Sequence, residues 1–402
     1  MAPLKFSVAQ KDVFRKIMSD AVASKSTPAV FFGVTSTDGP IYMHTEGKRL
    51  VDDPSSADID EDTIFWICSQ TKLITTIAAL QLIEQGKITL DTPAETILPE
   101  LANPVVVTGY DKETGRPSTT TPAKGKITLG DLLNHSSGID TSGIKLGQAN
   151  EIFLVLTAGQ GSLPGIPLKF EPGTNFNYAV SIDCVGFIVE RLSGKSLEQY
   201  FQDHIFAPLG ITSASFYLTP PRKERLLPLS YRTKSGVIES WKGPPVIDQD
   251  PAHVRVLFGG SALYSTQKDY LTILRHLLQI KAGVATSPIL TPASVDKLFE
   301  PTHSSGGAKT LEMFAASPYF ELPAGGAQFS RGLFVNTVDV PGKRKAGSGA
   351  WGGWANTSFF VDPTTGVAAV FGTQLAPTGD KDHNRLLDAL ERALYAALSA
   401  EP

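Results

Sequence analysis

The run Leu73-Ile74-Thr75-Thr76-Ile77-Ala78-Ala79-Leu80-Gln81-Leu82-Ile83 has no charged side chain between Lys72 and Glu84. A helix that is apolar on nearly all sides has to be enclosed by other elements, so these residues predict a central helix, from about Gln70 to Gln85 and stopped by Gly86. The uncharged run, from Leu73 to Ile83, is far shorter than the ~18 residues needed to span a membrane. Lys72, in its first turn, therefore has no solvated face to lie on. Ser69 stands three residues before it, at the end of the short apolar run Thr63 to Cys68. Side chains three apart share a helix face, and a helix start stabilises negative charge. A lysine kept from water has a lowered pKa and can take a serine proton.

Serine and lysine three apart recur at Ser142/Lys145, Ser265/Lys268 and Ser294/Lys297. The latter two precede helices that carry charges throughout, as surface helices do. Ser142 lies in a glycine-rich loop. Only Ser69 is delivered onto a buried helix.

The remaining pattern is mixed. Residues 8–23 form a helical stripe (Phe14, Ile17, Met18, Ala21, Val22) with Ser7 as cap. Ala29 to Thr37 and Ile41 to Thr45 read as a hairpin turned at Asp38-Gly39. Residues 91–127 and 218–256 read as irregular, and residues 128–210 as mostly helical. Strands return at Gly332 to Thr337, Thr357 to Val361 and Val367 to Thr373, before a last amphipathic helix with Leu387, Leu390, Leu394 and Leu398. The order predicts an α+β fold, with an antiparallel sheet built from both chain ends, flanked by helices and carrying a mostly helical insert. The division is a single domain over 1–402, with an α/β part at about 1–95 and 255–402 and a helical part at about 96–254.

Of 402 residues, 42% are hydrophobic and 19% charged, a core-forming composition. A net charge of −4 argues against a nucleic-acid partner. Two cysteines make no disulfide framework, and seven histidines show no metal-ligand spacing. Met1 to Ser7 has no signal-peptide order. The expectation is a soluble cytoplasmic protein without membrane partner, metal or organic cofactor. The charge pattern leaves the oligomeric state open.

Five segments together resemble the serine β-lactamase and penicillin-binding-protein superfamily. They are Ser69-Gln70-Thr71-Lys72, Thr128 to Gly138, Pro172 to Tyr178, Phe258 to Thr266 and Trp351-Gly352-Gly353. The resemblance spans about residues 10–398. It points to the class C-like branch that includes family VIII carboxylesterases, with likeness to fungal acyltransferases and esterases of statin-type polyketides. It implies Ser69 as nucleophile, Lys72 as its base and Tyr178 as the group that protonates the leaving alcohol. It also implies an oxyanion hole from the N–H groups of Ser69 and Trp354, the latter following Trp351-Gly352-Gly353 on an edge strand. Trp351, Gly352, Gly353 and Trp66 would contact a small-molecule ester.

Two departures shape the expected substrate. The family's Tyr-x-Asn is Tyr178-Ala179-Val180, and its Lys-Thr-Gly is Trp351-Gly352-Gly353. Without the amide and the lysine, a β-lactam or cell-wall peptide suits the site less than an uncharged ester. Lys343, Arg344 and Lys345 are candidates to replace the lysine. The expected activity is a serine carboxylesterase, with acyl transfer to a second alcohol as the alternative and a β-lactamase or a non-catalytic binding protein behind both. His135, His253, His383 and Asp183 read as structural, Cys68 as a small buried hydrophobe, and Cys184 without a role. Residues 101–126, 139–170 and 220–256 are expected to rim the pocket.

Overall fold

Alternation along the strand Ala29–Ser36 divides the core in two. Val30, Phe32 and Val34 face one hydrophobic cluster, while Ala29 and Phe31 face another. Period-two side chains do this wherever both faces of a sheet are covered. The computed structural model, which describes residues 4–142, 163–243, 246–247, 250–315 and 322–399, places this strand in a seven-stranded antiparallel sheet. The spatial order is Ala327–Phe329, Phe334–Asn336, Gly349–Gly352, Ser358–Asp362, Val367–Gly372, Ala29–Ser36 and Pro40–Gly47. Both chain ends thus contribute to one sheet, as the sequence predicts.

The helices Val8–Ala23 and Lys381–Ser399 cover one face, through Phe14, Met18, Leu390 and Leu394. Ser7 caps the first of them in a capping box with Gln10. Phe32 stacks on its cross-strand partner Phe371 at 4.9 Å, a pair worth about 1 kcal/mol beyond its burial. On the other face lie the helix Gln267–Lys281, with Tyr270 against Phe359 at 5.2 Å, and the helix Thr71–Glu84. Thr71 through Leu82 are all buried, as an all-round apolar helix requires.

Two segments read as irregular contain sheet. Val105–Tyr110 pairs with Pro117–Pro122, and Ser230–Arg232 with Ile238–Ser240. The first hairpin is threonine-rich, has its prolines only at strand ends and shifts register twice, so no clean alternation marks it. The part between the sheet-forming ends accordingly carries two small sheets beside its helices. The strand Gly349–Gly352 is also not an edge strand, because Phe334–Asn336 lies outside it. That neighbour pairs only with Gly349 and Ala350, leaving Trp351 and Gly352 past the end of its pairing. Among the described residues, no helix is long and apolar enough to cross a membrane.

Candidate active site

Ser69 is brought to the helix start by a short strand and a sharp turn. Ile64–Trp66 pairs antiparallel with Tyr264–Thr266, and the Ile67 N–H donates to Leu263 O at 3.1 Å. Cys68 then takes a left-handed conformation at φ +50°, a strain of about 1–3 kcal/mol for a non-glycine residue. The turn is held from two sides. The Thr71 hydroxyl donates to Cys68 O at 2.6 Å and accepts from the Leu263 N–H at 3.2 Å. Gly353 packs against it so closely that a Cβ there would sit 2.4 Å from Thr357 Oγ1 and 2.7 Å from Cys68 Cβ. Only glycine lets the end of the Gly349–Gly352 strand approach this turn.

Three side chains meet at Ser69 Oγ. Lys72 Nζ donates to it at 3.1 Å and Tyr178 Oη at 2.8 Å, with Lys72 Nζ 4.7 Å from the Tyr178 ring centroid. Lys72 is 6% exposed, as its place on the buried helix predicts. Its Nζ also donates to Gly260 O at 2.6 Å, and the Gly260 N–H donates to Asp183 Oδ1 at 2.8 Å. A Cβ on Gly260 would lie 2.7 Å from Asp183 Oδ2, so this contact too needs glycine. Burial raises the Asp183 carboxyl above its ordinary range, against the pull of Lys72 and the Gly260 N–H. Asp183 thus bonds not merely its own helix but Gly260, the residue whose carbonyl receives the Lys72 hydrogen bond. No local pattern marks this role of Asp183, because the link passes through Gly260, 77 residues away.

Tyr178 is held differently. Its ring lies 4.9 Å from His135, 5.3 Å from Trp351 and 5.4 Å from Phe314. The motif Thr128 to Gly138 supports the chain that leads to it. Thr128 and Asp131 form a capping box, and the Asn177 and Gly173 N–H groups donate to His135 O and Ser136 O at 2.9 Å each. His135 is fully buried with neither ring nitrogen hydrogen-bonded, and desolvation holds its pKa well below the ordinary value. A neutral packing ring fits the structural role read from its sequence setting.

Trp351, which the resemblance sets where the family has a lysine, presents an indole to the Tyr178 ring at 5.3 Å. Its proposed replacements are engaged elsewhere: Lys343 with Asp388, Arg344 with Glu391 at 2.9 Å and Lys345 with Asp339 at 3.0 Å. Lys343 and Arg344 do line the cavity, but Lys72 is the cation found over the Tyr178 ring.

Ser69, Tyr178, Phe314, Trp351 and Trp354 line one cavity of about 320 Å³, together with Gly352 and Gly353. Burial pushes the Cys68 thiol up to about 12, while the Ala355 and Trp354 N–H groups pull it down. Gly353, the residue before Trp354, packs against the Cys68 turn. Trp66 is not part of this cavity; it lines a second one. No described residue of 101–126, 139–170 or 220–256 lines the first cavity, and residues 143–162 lie outside the described residues.

The other serine–lysine pairs do not form a hydroxyl–amine contact among the described residues. Lys268 binds Asp62 at 2.6 Å, while Ser265 contacts Ser213; Ser294 belongs to a helix cap with Thr291. Lys145 lies outside the described residues. Neither His253 nor His383 lines the cavity, and burial pushes the Cys184 thiol up. Chemically, the arrangement offers a hydroxyl flanked by an amine that can take its proton and a phenol that can give one, in a largely apolar cavity.

The β-lactamase family model matches residues 14–393. The chain is 30% identical over 370 residues to the acyltransferase calJ of Penicillium decumbens, covering 85% of this chain and 83% of that protein. It is 31% identical over 363 residues to the lovastatin esterase of Penicillium rubens, covering 85% and 87%. Among solved structures, it is similar to unliganded simvastatin synthase from Aspergillus terreus. The TM-score is 0.83 at 26% identity, covering 98% of this chain and all of that one.

Proposed function

The chain belongs to the β-lactamase family, and from that premise we propose that it is a serine carboxylesterase cleaving an apolar, uncharged ester through a covalent acyl-enzyme. Lys72, as the free amine, takes the Ser69 proton while Oγ attacks the ester carbonyl carbon. The tetrahedral oxyanion lies between the N–H groups of Ser69 and Trp354, donors of a kind worth about 3 kcal/mol each in a transition state. As the carbon–oxygen bond breaks, Tyr178 gives its proton to the departing alcohol. The proton taken by Lys72 replaces it, since both groups meet at Ser69 Oγ. Water then attacks the acyl-enzyme by the reverse route and releases the acid. Each step uses side chains and backbone of this chain.

The observation that carries this reading is the pair of contacts on one hydroxyl, 3.1 Å from Lys72 Nζ and 2.8 Å from Tyr178 Oη. Trp351 and Val180, in place of the family's lysine and asparagine, favour an ester over a β-lactam. A second reading is transfer of the acyl group to another alcohol at the same acyl-enzyme. Relatives named as an acyltransferase and as monacolin J acid methylbutanoyltransferase of Aspergillus terreus favour it, beside one named lovastatin esterase.

Intact-mass measurement after a fluorophosphonate probe tests the acyl-enzyme. One adduct is expected on the wild type and none on Ser69→Ala. A Ser69→Ala or Lys72→Ala protein that still cleaved p-nitrophenyl butyrate would remove the mechanism. Adding a competing alcohol separates the two readings, because a new ester in place of the free acid marks transfer.

A further inference from the structure

A second cavity, of about 110 Å³, lies beyond the indole of Trp354. Its walls include Trp66, Leu226, Leu229, Trp241 and Tyr264, and no charged side chain among the described residues lines it. The polar groups nearby are already engaged. Trp66 Nε1 donates to Ser261 O at 2.7 Å, and Gln374 Nε2 donates to Trp66 O and Thr373 O at 3.0 and 2.8 Å. What remains is a small apolar hollow. Trp354 joins it to the site: its ring lies 5.9 Å from Trp66 and 5.8 Å from Trp241, both of which line the hollow, while Trp354 itself lines the larger cavity with Ser69.

The direction of the reaction assigns the two cavities. The leaving oxygen has to face Tyr178, which packs with Phe314 and Trp351 against the main core cluster. Trp66, Cys68 and Trp354 belong to a separate cluster with Tyr264, Leu226 and Leu229. An ester held by Ser69 with its alcohol toward Tyr178 points its acyl carbon chain the other way, toward Trp66 and Trp354. We propose that the hollow behind Trp354 is an acyl-binding subsite for a short apolar chain, with the Trp354 indole as its partition, and that the cavity about three times larger takes the alcohol. The proposal rests on the esterase reading above. It also gives a use to the stretch 220–256, none of whose described residues lines the larger cavity, yet which supplies Leu226, Leu229 and Trp241 here.

The test is kcat/KM on p-nitrophenyl acetate, butyrate, hexanoate and octanoate, where only the acyl chain changes. Trp354→Ala removes the partition and keeps the backbone N–H. It should raise the octanoate-to-acetate ratio about tenfold, and Leu229→Trp, which fills the hollow, should lower the hexanoate-to-acetate ratio by about as much. Ratios cancel any general loss of active protein. Wild-type ratios in both variants, or a shift that follows the alcohol of a series of acetates instead, would overturn the subsite. Fluorophosphonate labelling of the wild type keeps the two levels apart. A labelled, ester-cleaving wild type with unmoved variant ratios sinks the subsite alone. A wild type that neither labels nor cleaves any ester of the panel sinks the esterase reading and the subsite with it.

Discussion

The two sides of Ser69 are built by different forces. On the amine side, Lys72, Gly260 and Asp183 form a chain of hydrogen bonds of 2.6 to 3.1 Å, closed at Gly260, where a Cβ would lie 2.7 Å from Asp183 Oδ2. On the phenol side, the Tyr178 hydroxyl has one hydrogen bond among the described residues, to Ser69, and the ring is packed by others at 4.9 to 5.4 Å. Hydrogen bonds fix an atom by direction and distance, whereas ring packing fixes it only by filling space. The amine side should therefore fail sharply when one link is removed, and the phenol side by degrees as its wall is thinned.

The largest effect sits at the shared atom. Ser69→Ala and Lys72→Ala should each lower kcat/KM for p-nitrophenyl butyrate by on the order of 10⁴-fold or more, in proteins that still unfold cooperatively. Tyr178→Phe keeps every ring contact and loses only Oη. A fall in kcat on the order of 10²–10³-fold with native stability is expected; wild-type kcat would mean that the phenol takes no part in proton transfer.

Gly353→Ala sets a methyl group against the Cys68 turn, so about 1–3 kcal/mol of stability should be lost in urea unfolding together with most activity. Asp183→Asn leaves the size unchanged and removes the buried charge behind Gly260. It should cost roughly tenfold in kcat/KM and move the acidic limb of the pH–rate profile, which a merely structural aspartate would not do. Phe314→Ala thins the phenol wall at a residue that is 47% exposed, and a few-fold rise in KM for bulky alcohols is its expected mark.

One further effect lies away from the site and leaves activity untouched. Burial lowers the His383 pKa to about 4, so the folded protein binds fewer protons than the unfolded chain below the ordinary value of 6.5. Stability should fall as pH drops from about 6.5 toward 4, by up to ~3 kcal/mol from this residue. Urea unfolding at pH 7 and pH 4.5 should show a smaller difference in His383→Gln than in the wild type.

Legibility followed the range of the interaction. The helix Val8–Ala23 with its Ser7 cap, the hairpin at Asp38-Gly39 and the buried helix Thr71–Glu84 are written in local periodicity, and all stand close to where the sequence puts them. The Ser69–Lys72 contact was readable for the same reason, since three residues of helix fix it. The hairpin Val105–Tyr110 with Pro117–Pro122 was not, because threonines on an exposed surface alternate nothing. The aromatic surround of Tyr178 joins residues 135, 314 and 351, and no local pattern ties them together.

By itself the sequence determined a sealed helix with an amine in its first turn, and hence an amine and a hydroxyl obliged to face each other in a dry place. Only the tertiary structure decided what that pair confronts: the Asp183–Gly260 link behind the lysine, the indole of Trp351 in place of a cation, and the Trp354 partition between two cavities. The physical reason is that helical spacing sets distances over a turn or two. A cavity's shape and charge depend on chain segments hundreds of residues apart, whose meeting is fixed by how the whole core packs.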